Sequence, residues 1–231
     1  MREGDGRSAH SVLMDKVYRR QRHFYDLTRK YYLLGRDRLV RQLNAKPGER
    51  VIEIGCGTAR NLIRIAETYP GTELFGLDAS AEMLHTAHEA VARARLSHRI
   101  VLKHALAEEL TPSLFGFEQK FDHAIFSYSL SMIPDWRAAI RAAGKAVRPD
   151  GFIHVVDFGD LRSLWPVASA ALRAWLRLFH VTPRDELVTF LEERMQTCPG
   201  CALYLLPGRY AFVFKAIPAA VVDMATSGPR L

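Results

Sequence analysis

Residues 51–60 (VIEIGCGTAR) constrain the fold more than any other stretch of this chain. A short apolar run ends in the turn Gly55-Cys56-Gly57, and a helical pattern starts near Asn61. Glycines at such a turn let the backbone come very close to a ligand. The pattern therefore predicts a strand, a tight turn and a helix that form one wall of a binding site.

A second apolar run, residues 74–77, ends at Asp78 about twenty residues after the turn. An acidic residue at the tip of a second strand suits the two hydroxyls of a ribose. A glycine turn alone is also typical of ordinary strand–helix connections. The turn, the helix and the strand-terminal acid at this spacing together favour a site for a nucleoside-type cofactor.

The residues around the turn distinguish between two classes of cofactor. A dinucleotide site usually has a third glycine, so that the helix N-terminus can hold a pyrophosphate. Here Ala59 replaces that glycine and Glu53 precedes the turn. The pattern Glu-x-Gly-x-Gly followed by Asp78 resembles the class I S-adenosylmethionine-dependent methyltransferases. The resemblance implies S-adenosylmethionine, whose sulfonium and amino group tolerate a buried acid, and leaves NAD as the weaker alternative.

The order of the remaining elements predicts one α/β fold. Apolar runs at 100–102, 121–128 and 152–158 alternate with helical patterns at 81–95 and 134–147. Helices at 164–179 and after Pro183 precede two short strands, 203–206 and 210–216. We expect a Rossmann-like class I methyltransferase fold with an open, mostly parallel sheet. A C-terminal antiparallel hairpin completes this sheet, and an N-terminal helical extension precedes it.

The N-terminal part differs in charge from the rest, which predicts a division into 1–43 and 44–231. Residues 11–34 have an amphipathic helical pattern, and the formal net charge of the whole chain is +7. Such a segment can lie on an anionic membrane surface, or it can pack on the core with a solvated charged side. Its basic residues are Lys16, Arg19, Arg20, Arg22, Arg29 and Lys30.

Apolar runs and cysteines bear on location and metal binding. The chain has no apolar run of about eighteen residues and no charged-then-apolar leader. We therefore expect a cytoplasmic protein, peripherally associated with the inner face of the membrane.

The motif Cys198-Pro-Gly-Cys201 lacks the second cysteine pair of a structural zinc site and has no thioredoxin-like context. We expect neither a metal site nor a redox role there.

Four further stretches give a narrower resemblance. They are YDLTRKYYLLGRDRL (25–39), FSYSLSMIPDW (126–136), HVVDFGDL (154–161) and FHVTPRDEL (179–187). They resemble the bacterial diacylglyceryl-homoserine N-methyltransferases of betaine-lipid synthesis, and more loosely the ubiquinone and menaquinone C-methyltransferases. The first resemblance implies three methylations of a lipid amine. It also implies three partners: diacylglyceryl-homoserine, an anionic membrane surface and the enzyme that makes the homoserine lipid.

The resemblance also implies which residues contact the cofactor. Relatives often have Asp-Ala after the third strand, where this chain reads Leu106-Ala107-Glu108, so its adenine contacts are expected to be backbone and apolar. The expected cofactor contacts are Tyr25, Glu53, Gly55, Cys56, Gly57, Thr58, Asp78, Ala79, Met83, Leu106, Ala107 and Ser127.

Methyl transfer to an amine needs a neutral nitrogen held in line with the methyl carbon, and an acceptor for its proton. Tyr25, Tyr128 and Asp157 are the predicted catalytic residues, whereas for His154 a place in the core is favoured over a role as acceptor. Aromatic rings can hold the growing positive charge of the methylated amine. Arg36 and Arg184 are candidates for binding the homoserine carboxylate.

Other functions remain as alternatives. Methyltransferases that act on exocyclic base amines usually carry an Asn/Asp-Pro-Pro-aromatic motif after the fourth strand. Residues 127–130 read Ser-Tyr-Ser-Leu instead, so no nucleic-acid partner is expected. A quinone or other small-molecule methyltransferase is the main alternative. A membrane-surface module that binds S-adenosylmethionine without turnover is the non-enzymatic one.

Overall fold

The computed structural model describes residues 33–177, 181 and 183–222. The predicted N-terminal helix up to residue 32, with Tyr25, lies outside the described residues. No described helix is long and apolar enough to cross a membrane.

The described residues form a seven-stranded sheet with the strand order β3-β2-β1-β4-β5-β7-β6. Strands β1 to β5 are parallel, and β7 is antiparallel to both β5 and β6. This confirms the predicted open parallel sheet with an antiparallel C-terminal hairpin. The strands are β1 (Arg50–Ile54), β2 (Glu73–Asp78), β3 (Ile100–His104), β4 (Phe121–Ser127), β5 (Val147–Phe158), β6 (Ala202–Leu205) and β7 (Ala211–Ala216).

Helices cover both faces of the sheet, which explains why the central strands are apolar on both sides. Helices α4 and α6 contribute to one apolar cluster, and α1, α2, α3 and α5 contribute to the other. The helices are α1 (Arg36–Leu43), α2 (Arg60–Thr68), α3 (Ala81–Arg93), α4 (Trp136–Ala146), α5 (Pro166–Arg177), α6 (Asp185–Thr197) and α7 (Ala219–Val222).

Two local features differ from the sequence-based expectation. The apolar run at 152–158 predicted a strand that starts after Gly151, whereas β5 begins at Val147 and includes Gly151, beside an irregularity in its pairing with β4. A Cβ at Gly151 would stand 2.4 Å from the carbonyl oxygen of Asp122, so the close approach of two strands requires this glycine. Two 3₁₀ turns, Ala107–Glu109 and Pro112–Phe115, lie between β3 and β4, where no element was predicted.

The two cysteines of the CPGC motif are joined in a disulfide between the end of α6 and the start of β6. The third cysteine, Cys56, is free and buried. The disulfide closes a connection at the edge of the sheet, on a different element from the glycine turn.

Candidate active site

A cavity of about 350 Å³ opens at the carboxyl ends of β1, β2 and β4. This is the edge at which open parallel sheets bind their ligands. Eleven of the predicted site residues line this cavity: Glu53, Gly55, Cys56, Gly57, Thr58, Asp78, Ala79, Leu106, Ala107, Ser127 and Tyr128.

The glycine turn brings the backbone against the loop that follows β4. Gly55 has a φ of +71°, and a Cβ there would stand 2.6 Å from the Cβ of Ser129. Ser129 in turn donates a hydrogen bond from Oγ to the carbonyl oxygen of Ile54, at 2.9 Å. Glycine is therefore required at position 55 by both backbone conformation and space.

Asp78 ends β2 and ties together the two turns beside it. Its Oδ2 accepts a hydrogen bond from the N–H of Gly57 at 2.8 Å, and its Oδ1 accepts one from the N–H of Ser80 at 2.9 Å. Ser80 caps α3, because its Oγ accepts from the N–H of Met83. The carboxylate of Asp78 also lines the cavity, at the strand end where the hydroxyls of a ribose would lie.

Glu53 supplies a buried negative charge to the cavity wall. It is 1% exposed, and its Oε1 accepts a hydrogen bond from Nδ2 of Asn61 at 2.7 Å. Burial raises the pKa of the Cys56 thiol well above its usual value, and the carboxylates of Asp78 and Glu53 raise that pKa further. Cys56 therefore stays a neutral thiol, and the field of the two carboxylates at the turn favours a cationic ligand.

Tyr128 is placed on the opposite wall, but its geometry does not suit the predicted role of proton acceptor. Its hydroxyl donates a hydrogen bond to the carbonyl oxygen of Leu34 at 2.5 Å. Burial raises the pKa of Tyr128 well above its usual value, and the nearby Tyr210 and Asp157 add to this rise. The phenol is therefore held as a donor that anchors the start of α1 over the site.

Asp157 does not line the cavity. Its carboxylate is buried and accepts hydrogen bonds from the N–H groups of Ser131 and Phe158, at 3.0 and 2.8 Å. Burial raises its pKa to about 6, and those hydrogen bonds limit the rise. This placement assigns Asp157 to holding the loop after β4, which corrects the expectation that it takes a proton from the acceptor.

Arg184, a candidate for the substrate carboxylate, holds the same loop from the other side. Its Nε donates to the carbonyl oxygen of Leu130 at 3.2 Å, and its Nη2 donates to that of Ile133 at 2.8 Å. Its donors are thus directed at backbone carbonyls, so the structure places Arg184 in support of the site. The second candidate, Arg36, does line the cavity.

The structure places two other predicted residues away from the cavity. His154 is buried beside His123, with its Nε2 3.2 Å from Nδ1 of His123, in agreement with the favoured core position. Met83 was predicted to contact the cofactor, but it is buried in the first turn of α3 and does not line the cavity. Side chains of successive residues on a helix point in different directions, and Met83 points towards the core.

The sequence-based prediction missed much of the outer wall. The outer wall consists of the first turn of α2 (Arg60 and Asn61) and the loop 129–135 after β4. The position of this loop depends on contacts between residues far apart in the sequence. Asn61 could have been predicted from its position at the start of the helix that follows the glycine turn. The unpredicted lining residues are Leu33, Arg60, Asn61, Leu77, Glu108, Ser129, Met132, Ile133, Pro134 and Asp135.

These residues fit S-adenosylmethionine. Glu53 faces the cavity with the charge that an ammonium or a sulfonium requires, and Asp78 presents a carboxylate at the place expected for a ribose. Leu106 and Ala107 give an apolar wall suited to adenine. The buried Oγ of Ser127 has no hydrogen-bond partner among the described residues, so a polar ligand group would satisfy it.

A family model described as a methyltransferase domain matches residues 52–153. A demethylmenaquinone methyltransferase of Geobacillus stearothermophilus is 28% identical over 62% of this chain and 56% of its own length. The 27-O-demethylrifamycin SV methyltransferase of Amycolatopsis mediterranei is 31% identical over 53% of this chain and 43% of its own length. The chain thus spans about half the length of the curated relatives that it matches.

Solved structures agree with the topology. The S-adenosylmethionine-dependent methyltransferase SibL has a TM-score of 0.64 at 21% identity, covering 84% of this chain and 57% of its own. This chain has a class I methyltransferase fold. A Haemonchus contortus phosphoethanolamine N-methyltransferase in complex with S-adenosylhomocysteine has a TM-score of 0.60 at 19% identity, covering 75% and 39%. At these sequence identities the two structures bear on the fold alone.

Proposed function

We propose that this chain is an S-adenosylmethionine-dependent N-methyltransferase that methylates the amine of diacylglyceryl-homoserine three times. The observation that carries the proposal is the shared cavity. One continuous space is lined by the predicted cofactor residues and by the polar residues Arg36, Arg60 and Asp135. The choice of lipid rests on the four sequence stretches that resemble the betaine-lipid enzymes.

Methyl transfer makes modest demands on the protein. The cofactor supplies a methyl group on a sulfonium, which a neutral amine attacks in line. Holding the amine in that line accounts for most of the rate that the chain can contribute. The loop 129–135, fixed by Asp157 and Arg184, is the part of the outer wall that can position an acceptor.

The proton of the amine must leave before attack. Tyr128 and Asp157 are committed to backbone groups, as described above. Asp135 lines the cavity and is exposed to solvent, and its Oδ1 accepts from the N–H of Ala138 at the start of α4. In the proposed reaction, the carboxylate of Asp135 or solvent water beside it takes the proton. A lipid carboxylate is assigned to the Arg36 side of the same cavity.

The test uses the purified full-length protein, labelled S-adenosylmethionine and vesicles that contain diacylglyceryl-homoserine. Mass spectrometry should show one, two and three added methyl groups on this lipid. Vesicles that contain phosphatidylethanolamine instead serve as the matched acceptor control and should give no product. Absence of a methylated homoserine lipid, although the cofactor binds, would contradict the proposed substrate.

A second candidate is the C-methylation of a quinone or another small molecule. It is favoured by the names of the relatives, several of which are demethylmenaquinone methyltransferases. The same assay with demethylmenaquinone separates the two, because the labelled methyl group then appears in the quinone and not in the homoserine lipid. Tight cofactor binding without a product from any of these acceptors would instead favour a membrane-surface binding module.

A further inference from the structure

Helix α5 presents an apolar stripe to solvent. Residues at spacings of three and four along a helix share one face, and here that face contains only alanine and valine before it ends at Arg177. Just one residue of α5, Leu176, is fully buried. The exposed stripe consists of Val167, Ala170, Ala171, Ala174 and Arg177.

The start of this helix exposes two large apolar side chains. Trp165 is 82% exposed and Val167 is 77% exposed, the highest values among the exposed large apolar residues that the structure describes. A helix on the surface of a water-soluble domain ordinarily turns polar residues outward. An outward apolar stripe that begins with a tryptophan is typical of a surface that meets another apolar phase.

The charge of the segment indicates which phase that is. Residues 161–177 contain Arg162, Arg173 and Arg177 and no acidic residue. Arg162 and Arg177 are exposed at the two ends of the segment. Tryptophan at the interface, apolar residues below it and arginines at the rim are the combination found in helices that lie on anionic bilayers.

The segment is held in place rather than loosely attached. Both carboxylate oxygens of the buried Asp160 accept from the guanidinium of Arg209, at 2.7 and 2.6 Å. Arg173 donates to the carbonyl oxygen of Asp160 at 2.6 Å and pairs with Asp185 at the start of α6. These contacts fix both the loop before α5 and the helix itself on the sheet.

The position of α5 relates it to the cavity. The helix follows the carboxyl end of β5, the strand beside β4, and the cavity lies at this same edge of the sheet. Arg173 reaches Asp185, and the neighbouring Arg184 holds the loop that lines the cavity. A surface that α5 touches would therefore lie along the edge of the sheet where the cavity opens.

We propose that α5 and Trp165 form a docking surface for an anionic lipid bilayer. The occupant is the bilayer surface itself, which the apolar stripe enters while Arg162 and Arg177 meet the head groups. This inference goes beyond the proposed function and does not depend on which acceptor is methylated. It places the cavity near the membrane, where a lipid acceptor can reach it without leaving the bilayer.

The first experiment measures co-sedimentation of the full-length protein with vesicles of phosphatidylcholine and phosphatidylglycerol. The double variant Trp165→Ser, Val167→Ser should bind at least about tenfold more weakly than the wild type. The matched control, Val101→Ser with Met195→Ser, removes two other exposed apolar side chains and should bind as the wild type does. Unchanged binding by the first variant would overturn the proposal.

A second measurement uses a conservative change that tests contact directly. Brominated lipids in the vesicles should quench the tryptophan fluorescence of the wild type and much less that of Trp165→Phe. Equal quenching in both proteins would overturn the proposal. The proposal would also be overturned if the wild type forms a larger particle without vesicles and the double variant Trp165→Ser, Val167→Ser does not. The stripe would then bind a second copy of the chain.

The outcome for the membrane surface can be separated from that for the proposed reaction. Methylation of acceptor dispersed in detergent should be equal in the wild type and in Trp165→Ser, Val167→Ser, whereas methylation in vesicles should fall with binding. If no acceptor is methylated but the variant still loses vesicle binding, the proposed function fails and the docking surface stands. If the double variant also loses activity in detergent, its substitutions disturb the methyltransferase site itself, and the docking role is overturned.

Discussion

Asp78 serves both the candidate ligand and the architecture around it. Its position after β2 predicted a ribose contact, and its carboxylate also holds the N–H groups of Gly57 and Ser80. Glu53 shows the same duality, because it lines the cavity and accepts a hydrogen bond from Asn61. At this site, acidic residues therefore shape the turn as well as offering charge and acceptors to a ligand.

The change Asp78→Ala should weaken S-adenosylmethionine binding about 10- to 100-fold, because charge-assisted hydrogen bonds to the ribose are lost. It should also lower the free energy of unfolding by about 1–3 kcal/mol, since two backbone N–H groups lose their acceptor. Calorimetry gives the affinity and thermal unfolding gives the stability. Glu118→Ala, at an exposed carboxylate that does not line the cavity, is the control and should change neither quantity. Unchanged affinity in Asp78→Ala would remove Asp78 from the cofactor site.

Glu53→Gln separates charge from shape at the turn. Glutamine keeps an oxygen that can accept from Asn61 but removes the buried charge, so affinity for the cationic cofactor should fall about tenfold with little change in stability. Titration with S-adenosylmethionine and with S-adenosylhomocysteine identifies the group involved. A loss confined to the first ligand would assign Glu53 to the sulfonium, and an equal loss would assign it to the amino group. No loss with either would contradict the electrostatic role.

The residues that the sequence predicted best are those whose role depends on the backbone. Gly55 and Asp78 could be placed because a tight turn and a strand tip have local signatures. Asp157 was predicted to be catalytic and Arg184 to bind the substrate carboxylate, because the sequence cannot show that both contact backbone groups of a distant loop. Arg184 reaches carbonyls more than fifty residues away in the chain. The local sequence pattern predicts the strands, helices and turns that form the site, whereas the direction of each side chain depends on tertiary packing.

At the scale of elements, the loop after β4 is the most constrained irregular segment of the site. β5 holds it through Asp157, and the start of α6 holds it through Arg184. Alternation of apolar runs predicted the strands on either side, because parallel strands buried on both faces read as continuous apolar segments. The 3₁₀ turns at Ala107–Glu109 and Pro112–Phe115 were not predicted, because such short turns lack a periodic signal.

Arg184→Met should loosen this loop without disturbing the glycine turn. We expect kcat/KM for the acceptor to fall about tenfold while S-adenosylmethionine affinity changes less than about twofold, since two hydrogen bonds from a charged donor are lost. Hydrogen exchange of residues 129–135 should accelerate, which distinguishes a positioning role from a general loss of stability. The control Arg137→Ala breaks an exposed ion pair with Glu186 and should change neither quantity. Unchanged exchange in Arg184→Met would contradict the positioning role.

At the scale of the whole molecule, ionisable groups are buried on the central strands β4 and β5 of the sheet. His154 contacts His123, which in turn lies 3.1 Å from a carboxylate oxygen of Glu49. Burial lowers the pKa of His154 well below its usual value, and His123 and Lys215 lower it further. At His154, the unfolded chain therefore binds more protons than the folded chain below about pH 6.5. The contribution of His154 to the free energy of unfolding should consequently decrease as pH falls through that value.

His154→Gln should reduce this acid sensitivity, because glutamine can donate to His123 without titrating. Between about pH 6.5 and pH 5, the wild type should lose up to about 1.4 kcal/mol per pH unit more than the variant. Denaturant unfolding over this range measures the difference. Asp157, with its pKa raised to about 6, contributes a slope of opposite sign, but that slope is present in both proteins and cancels. Parallel pH profiles would contradict a buried neutral His154.

The basic N-terminal segment and the face of α5 would act together if both meet the bilayer. Charge reversal at Arg19, Arg20 and Arg22 should weaken binding to anionic vesicles and should spare S-adenosylmethionine binding, because attraction to the head groups is electrostatic. Reversal at Arg95, Lys103 and Lys120, which are exposed, gives a control variant of the same net charge.

The effect of the N-terminal charge reversal should shrink at high salt, whereas the effect of Trp165→Ser, Val167→Ser should persist, because salt screens charge but not apolar burial. Equal vesicle binding by the wild type and the N-terminal variant would leave α5 as the remaining proposed contact. Equal weakening by the N-terminal and control variants would instead attribute that part of the binding to net charge.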